Sequence, residues 1–358
     1  MKNILILISI FFIVHPAFSQ DYFNIKKNHN NNHLVIVHPT EANMDRYAFL
    51  IENNILNPGK KKIVGLYFES EEYNYEEVIN KYPEIGFHEI PTGLSKDNIY
   101  SENSKTEEFK KIFKYSSGII FNGGPDIPPS TYGEEKMNLT QISDPWRHYY
   151  ELSFLFHLLG GSQNLEYTPL LKKRPKYMIL GICLGLQSMN VATGGTLIQD
   201  IPYELYDKNT AEEVLRMDKK LRHRNYNSEF RIYPDIQSYY LHPIKLTSGR
   251  WLDAINTGLN PNPYISSSHH QAIEKLGKEF RITATSMDDK VIEGIEHTKY
   301  QNVIGIQFHP EVDNLYKDDK IFQFNPEESK FSLLQKMNDL ESYEFHVRFW
   351  ENIMKSMP

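Results

Sequence analysis

Cysteine is scarce in this chain. Its 358 residues include one cysteine, Cys183. One cysteine excludes an internal disulfide, so the fold must be held by its core, and it excludes a cysteine-based metal ligand set. Positive charge is also short: 39 Lys and Arg face 46 Asp and Glu, a formal net charge of −7. With no basic stripe along the chain, no nucleic-acid partner is expected. Short clusters such as Lys60-Lys61-Lys62 read as solvated loop faces. The apolar run at 4–14 falls well short of the roughly 20 residues a membrane-spanning helix needs. There is no internal repeat, and no Gly-x-x-x-x-Gly-Lys-Ser/Thr loop for a nucleotide phosphate.

What is present starts with an export-like N-terminus. Lys2 supplies positive charge, the apolar run follows, and Ala17-Phe18-Ser19 offers small residues before Gln20. Residues 1–19 therefore read as a cleavable signal peptide. The expected location is periplasmic or secreted, with no membrane attachment after cleavage. Residues 20–33 are polar and Asn-rich and read as a linker. Residues 34–358 read as a single domain. β-branched runs at 34–37, 62–68, 87–90 and 118–121 alternate with helical spacing at 46–56, 73–81, 107–114 and 147–159. Such alternation predicts an α/β fold, a mostly parallel sheet with helices on both faces. Ligands then bind beyond the carboxyl ends of the strands. Residues 160–176 read as a surface insertion and 203–234 as an irregular excursion. A helical stripe of Phe331, Leu334, Met337 and Leu340 is expected to dock on the core.

Cys183 sits in Gly181-Ile182-Cys183-Leu184-Gly185, after an apolar run and before a helix-compatible stretch. This is the pattern of a nucleophile elbow, with glycines expected where the turn is tight. A thiol needs a base to become a thiolate. Val303-Ile304-Gly305-Ile306-Gln307-Phe308-His309-Pro310-Glu311 reads as a strand ending in His-Pro-Glu. Residues two apart in extended chain point the same way, so Glu311 can orient His309 while His309 takes the thiol proton. Cys183, His309 and Glu311 are therefore the candidate catalytic residues. Oxyanion donors are expected from the backbone N–H of Leu184 and of Gly124, the latter in a Gly-Gly-Pro loop about 60 residues upstream.

Three blocks carry a resemblance. They are Gly123-Gly124-Pro125-Asp126-Ile127 with Tyr132-Gly133-Glu134-Glu135; Asp144-x-x-Arg147-x-x-x-Glu151; and the elbow block running on to Gln199-Asp200. With His242-Pro243-Ile244 and Ser267-Ser268-His269-His270-Gln271-Ala272, they resemble the class I glutamine amidotransferase-like superfamily. The finer match is to its branch of γ-glutamyl-γ-aminobutyrate hydrolases, the C26 peptidases. The resemblance implies a flavodoxin-like three-layer sandwich, a Cys-His-Glu triad and hydrolysis of a γ-glutamyl amide through a thioester. It also implies that Gln187, Ser268 and His269 lie near the γ-glutamyl head.

His269-His270 with His242 or His223 lacks His-x-x-x-His spacing, and adjacent side chains diverge, so no metal is expected. No cofactor is expected either. The expected partner is a small γ-glutamyl compound, with a homodimer as the assembly considered. Two other functions fit the residues: a glutaminase domain feeding ammonia to a synthase, and a non-catalytic protein that binds γ-glutamyl ligands.

Overall fold

Near-continuous apolar runs give each central strand two buried faces. The computed structural model describes residues 21–232, 236–247 and 251–358. The expected signal segment lies outside these. The first elements are β1 (His33–Val37), α1 (Glu41–Glu52), β2 (Lys62–Phe68), α2 (Glu76–Lys81), β3 (Gly86–Ile90), α3 (Thr106–Tyr115), β4 (Gly118–Phe121), α4 (Pro145–Leu159), β5 (Met178–Ile182) and α5 (Leu184–Ala192). There follow β6 (Leu197–Ile198), α6 (Ile201–Tyr206), α7 (Ala211–Leu215), β7 (Tyr240–Pro243), β8 (Lys245–Leu246), α8 (Leu252–Ile255), β9 (Tyr264–Ser267), β10 (Ala272–Ile273), β11 (Phe280–Thr285), β12 (Ile292–His297), β13 (Val303–Ile306), α9 (Leu333–Asp339) and α10 (Tyr343–Ser356).

Among the described residues, nine strands form one sheet in the order β3-β2-β1-β4-β5-β13-β12-β11-β8. The strands from β3 through β13 pair in parallel, and β12, β11 and β8 continue antiparallel. The chain winds outward from β1 to β3, then returns to β4 on the other side of β1. Ligand crevices in such sheets open at this reversal. Leu34, Ile36, Ile120, Leu180, Ile182 and Ile306 face one core with residues of α1, α2 and α10. Val35, Val37, Ile119, Phe121, Ile179 and Val303 face the other, with α3, α4 and α5. The result is a flavodoxin-like, three-layer α/β sandwich with a mostly parallel sheet.

Five segments differ from their sequence reading or refine it. Residues 21–33 are not a linker. Phe23 is fully buried, set edge-on to the rings of Tyr22, His33 and His88. Its N–H donates to His88 Nδ1 at 3.3 Å, and Asp21 bridges His88 on β3. One aromatic carries enough apolar surface to dock an otherwise polar stretch. The 203–234 excursion, described to residue 232, is largely helical. Asp200 caps α6, and Thr210 with Glu213 forms a capping box on α7. Elements of six and five residues are too short to show a periodic stripe. Residues 160–176 do run over the surface, pegged by the buried Leu170 and Leu171. Of the C-terminal stripe only Met337 is buried, with Phe331, Leu334 and Leu340 half-buried; α9 buries Leu333 beside Met337, and α10 adds Phe345, Phe349, Trp350 and Ile353. α1 starts at Glu41, earlier than its apolar spacing indicates, because Thr40 Oγ1 accepts the Asn43 N–H at 3.3 Å.

Phe23→Ala is expected to release the N-terminal segment. Limited proteolysis would then cut before residue 33, and urea unfolding would report a loss of up to about 3 kcal/mol. A true linker would show neither change.

Candidate active site

Three strand ends meet at the carboxyl edge of the sheet. β4 runs into Asn122-Gly123-Gly124, β5 into Cys183, and β13 into Gln307-Phe308-His309. Because β5 lies between β4 and β13, the cysteine has a loop on either side. Cys183 itself takes the strained conformation, at φ 51° and ψ −104°, and α5 begins at the next residue. A non-glycine residue held at positive φ stores strain that its surroundings must enforce. The flanking glycines serve close packing rather than the turn. A Cβ on Gly185 would lie 2.2 Å from Phe121 O, and one on Gly181 would lie 2.5 Å from Met189 Sδ. Neither glycine has positive φ. The helix is pressed against β4 and β5, and the chain must fold back sharply to enter it.

His309 approaches from the β13 side. A Cβ on Gly123 would fall 2.9 Å from His309 Cε1 and 3.5 Å from Cys183 Cβ, so thiol and imidazole sit together beneath that loop. His309 Nδ1 donates to Glu311 Oε1 at 2.6 Å, which leaves Nε2 for the thiol. Burial alone would lower the imidazole pKa. The Glu311 carboxylate and then Cys183, within hydrogen-bonding reach, instead hold it well above its ordinary value. Burial would raise Glu311, but His309 and Arg46 pull it down. Arg46 on α1 places Nη1 3.4 Å from Glu311 Oε1 and donates from Nη2 to the Tyr239 hydroxyl at 2.5 Å. Gln307 Nε2 donates to Cys183 Sγ at 3.4 Å. Sequence reasoning missed Arg46, Tyr239 and Gln307. Only Gln307 had a local signal, two residues before the histidine on the same strand face.

The loop carrying Gly124 packs against the Leu184 side chain. The N–H of Leu184 heads α5 and has no intrahelical acceptor. A Cβ on Gly124 would come within 2.7 Å of Leu184 Cδ2. The Gly124 loop is held from behind by Arg147, which is buried on α4. Its Nε donates to Glu151 Oε1 at 2.7 Å. Its Nη2 donates to the carbonyls of Asn122 at 3.2 Å and Gly123 at 3.0 Å. The Gly123 carbonyl and the Gly124 N–H share one planar peptide and point opposite ways. Drawing the carbonyl toward α4 therefore turns the N–H away from it. The Asp144-x-x-Arg147-x-x-x-Glu151 block has a mechanical meaning: Asp144 caps the helix that delivers the guanidinium.

The residues expected near a substrate head take different places. Gln187 is buried, and its Nε2 donates to Gln271 O at 3.2 Å and Gln307 Oε1 at 3.3 Å. Ser268 is half-buried, with Oγ bonded to Ser238 Oγ at 3.2 Å. His269 turns inward, Nδ1 donating to Gln271 O at 2.8 Å. There it meets His223, His242 and Glu293, whose ligand-type atoms lie within 4.8 Å of one another. The sequence offered these three histidines together and the lack of His-x-x-x-His spacing argued against a metal; the structure nevertheless brings them together, with Glu293 from a further segment that no spacing rule marks. Its neighbour His270, to which sequence reasoning gave no role, bridges two of the resemblance blocks. Nε2 lies 3.1 Å from both oxygens of Asp126, and Nδ1 lies 3.1 Å from Asp200 Oδ2. A cavity of about 830 Å³ lined by Arg222, Tyr240, Tyr264, Phe324 and Lys336 includes none of the Cys183, His309 and Glu311 group.

Two outcomes follow from this geometry. Gly185→Ala is expected to push α5 off β4 and cost about 1–3 kcal/mol, read by urea unfolding, with a matching loss of Cys183 alkylation selectivity. His270 gives a pH dependence. Burial would lower it, but Asp126 and Asp200 raise it to about 9. Its folded pKa is above its unfolded one, so its stabilisation is complete below about pH 6.5 and fades as pH rises through about 9. Unfolding free energy should therefore fall between those values by on the order of 2–3 kcal/mol at most, and His270→Gln should flatten the slope.

Known proteins share this arrangement of motifs. The Peptidase C26 family model matches residues 98–311, from before β4 to Glu311. A protein of Rickettsia prowazekii (strain Madrid E), provisionally named glutamine amidotransferase-like, is 30% identical over 225 residues, covering 58% of this chain and 74% of that one. A similarly named protein of Lactococcus lactis subsp. lactis (strain IL1403) is 29% identical over 222 residues, covering 61% and 77%. Among solved structures, a glutamine amido transferase from Methylobacillus flagellatus aligns over 92% of this chain and 96% of that one. Its identity is 11% and its TM-score 0.40, a likeness that adds nothing to the strand order described above. The matched span takes in more than half of the sequence and both loops around Cys183, and the chain belongs to the Peptidase C26 family of glutamine amidotransferase-like, cysteine-dependent hydrolases and amidotransferases.

Proposed function

We propose that this protein hydrolyses γ-glutamyl amide bonds through a thioester on Cys183. The observation that carries the reading is the strained Cys183 between the Gly123-Gly124 loop and the His309–Glu311 pair. In the first half-reaction, Cys183 Sγ attacks the γ-carbonyl carbon and its proton passes to His309 Nε2. The carbonyl oxygen becomes an oxyanion, taken up by the N–H groups of Gly124 and Leu184. His309 then gives the proton to the leaving nitrogen as the C–N bond breaks. In the second, His309 accepts a proton from water, whose oxygen attacks the thioester. The C–S bond breaks, the γ-carboxylate leaves, and Sγ recovers the proton. Glu311 keeps Nδ1 protonated and supports the imidazolium throughout.

The expected export of the chain supports a stand-alone hydrolase over an ammonia-feeding subunit, since ammonia-consuming synthases need nucleotide cofactors. The relatives' names favour glutamine itself as a substrate to include. Glutamine is the simplest γ-amide, so it calls for no change in the chemistry.

The test is a panel of γ-glutamyl amides and peptides, with L-glutamine and the matching α-glutamyl isomers, read by mass spectrometry. Cleavage of γ-linked members alone is expected. Cys183→Ala should lower kcat at least about a thousandfold, and Glu311→Gln by about a hundred- to ten-thousandfold. Full turnover by Cys183→Ala would sink the reading. Rapid alkylation of Cys183 with no cleavage of any member would keep the nucleophile and reject the substrate class.

A further inference from the structure

Behind the active-site edge lies a polar cluster that the proposed chemistry does not use. His223 comes from the excursion after α7, His242 from β7, His269 from the turn after β9, and Glu293 from β12. All four are buried. Glu293 Oε1 lies 3.0 Å from His223 Nδ1, 3.7 Å from His242 Nε2 and 3.8 Å from His269 Nε2. Among the described residues none of these atoms has a hydrogen-bond partner, and Glu293 Oε2 has none either.

The protons cannot satisfy this group. His242 Nδ1 faces the Pro243 carbonyl at 3.2 Å, and His269 Nδ1 faces the Gln271 carbonyl at 2.8 Å. A carbonyl only accepts, so both Nδ1 atoms carry the hydrogen, and in neutral rings both Nε2 atoms present bare lone pairs. Those lone pairs converge on a carboxylate that also only accepts. Protonating His223 would provide one donor for Glu293 and leave the other two rings facing acceptors. A single cation at the centre would pair with all four. An imidazole whose far nitrogen donates to a backbone carbonyl is also how proteins orient metal-bound histidine. Ligands of a tetrahedral zinc sit about 3.3 Å apart for Zn–N bonds of about 2.0–2.1 Å. The observed separations straddle that figure.

We propose that His223, His242, His269 and Glu293 form a closed, four-ligand site for one Zn²⁺ ion. Three imidazoles with one carboxylate favour a borderline transition metal over magnesium or calcium, which prefer oxygen ligands. Four protein ligands leave no open position, so the ion is structural. It clasps the excursion and the β7–β9 pair to β12, behind the strand end that carries His309. The cross-links there are short: His309 N–H to Ser266 O at 2.8 Å, Gln307 N–H to Glu293 O at 2.9 Å, and Ser267 Oγ to His223 O at 2.7 Å. Without the ion, the His309 strand end loses its backing while Cys183 and its elbow keep theirs.

The test uses the purified chain with a tag free of histidine. Elemental mass spectrometry of the wild type is expected to give about one zinc per chain. The content should fall at least about tenfold in Glu293→Gln and in His242→Ala, and stay unchanged in Cys183→Ala. Dipicolinate should strip the wild type and lower its Tm, and added Zn²⁺ should restore it. That readout needs no variant to fold and no substrate to be known. Metal-free protein that fails to take zinc from a chromophoric chelator would overturn the proposal, as would zinc content equal in wild type and both ligand variants. One equivalent of another divalent metal, lost in the variants, would keep the site and overturn the choice of zinc.

Discussion

The close approach of α5 to β4, where Gly185 lies against the Phe121 carbonyl, is the constraint on which the rest of the edge depends. It leaves no room for a gradual entry into the helix. The chain must reverse within one residue, and that residue is Cys183 at positive φ. The strain is held by the buried surroundings together with the backbone bonds of Cys183, whose N–H donates to Ile306 O at 2.8 Å and whose carbonyl accepts the Gln187 N–H at 3.2 Å. The same approach brings the first N–H groups of α5 beside the Gly123-Gly124 loop, so a packing contact and a candidate oxyanion site share one origin.

Around that contact, charged side chains act as fasteners, Arg147 buried and His270 and Arg46 half-buried. Arg147, paired with Glu151, grips two carbonyls of the loop after β4. His270 ties Asp126, in the same loop, to Asp200 after β6. Arg46 reaches from α1 to Glu311 and Tyr239. Each fastener joins segments far apart in sequence, so each resists separation of elements that no backbone ladder connects. Removing one partner of a buried pair such as Arg147 and Glu151 leaves an uncompensated charge, which is why that pair matters beyond its single hydrogen bonds.

The parallel half of the sheet was legible in the sequence, because β-branched runs alternating with helical spacing report burial directly. The elbow and the His-Pro-Glu pair were legible because their chemistry constrains neighbours one and two residues away. Arg46 was not, since a single arginine on a mixed helix has no local signature. The Phe23 anchor was hidden by the polar residues around it, and α6 and α7 by their brevity. The grouping of His223, His242, His269 and Glu293 exists only in three dimensions. His269 was read toward a ligand from its place in a motif, while its rotamer turns it the other way, toward Glu293.

The N-terminal segment has a consequence of another kind. β3 is an outermost strand, and such strands offer unpaired N–H and C=O groups to any passing chain. Asp21 pairs with His88 on that strand, and Phe23 lies across the neighbouring rings. The segment blankets part of a sticky margin with polar, Asn-rich chain that is itself a poor template for further strands. That cover lies over the margin along which edge-to-edge aggregation would proceed, and a chain trimmed back to β1 would lose it.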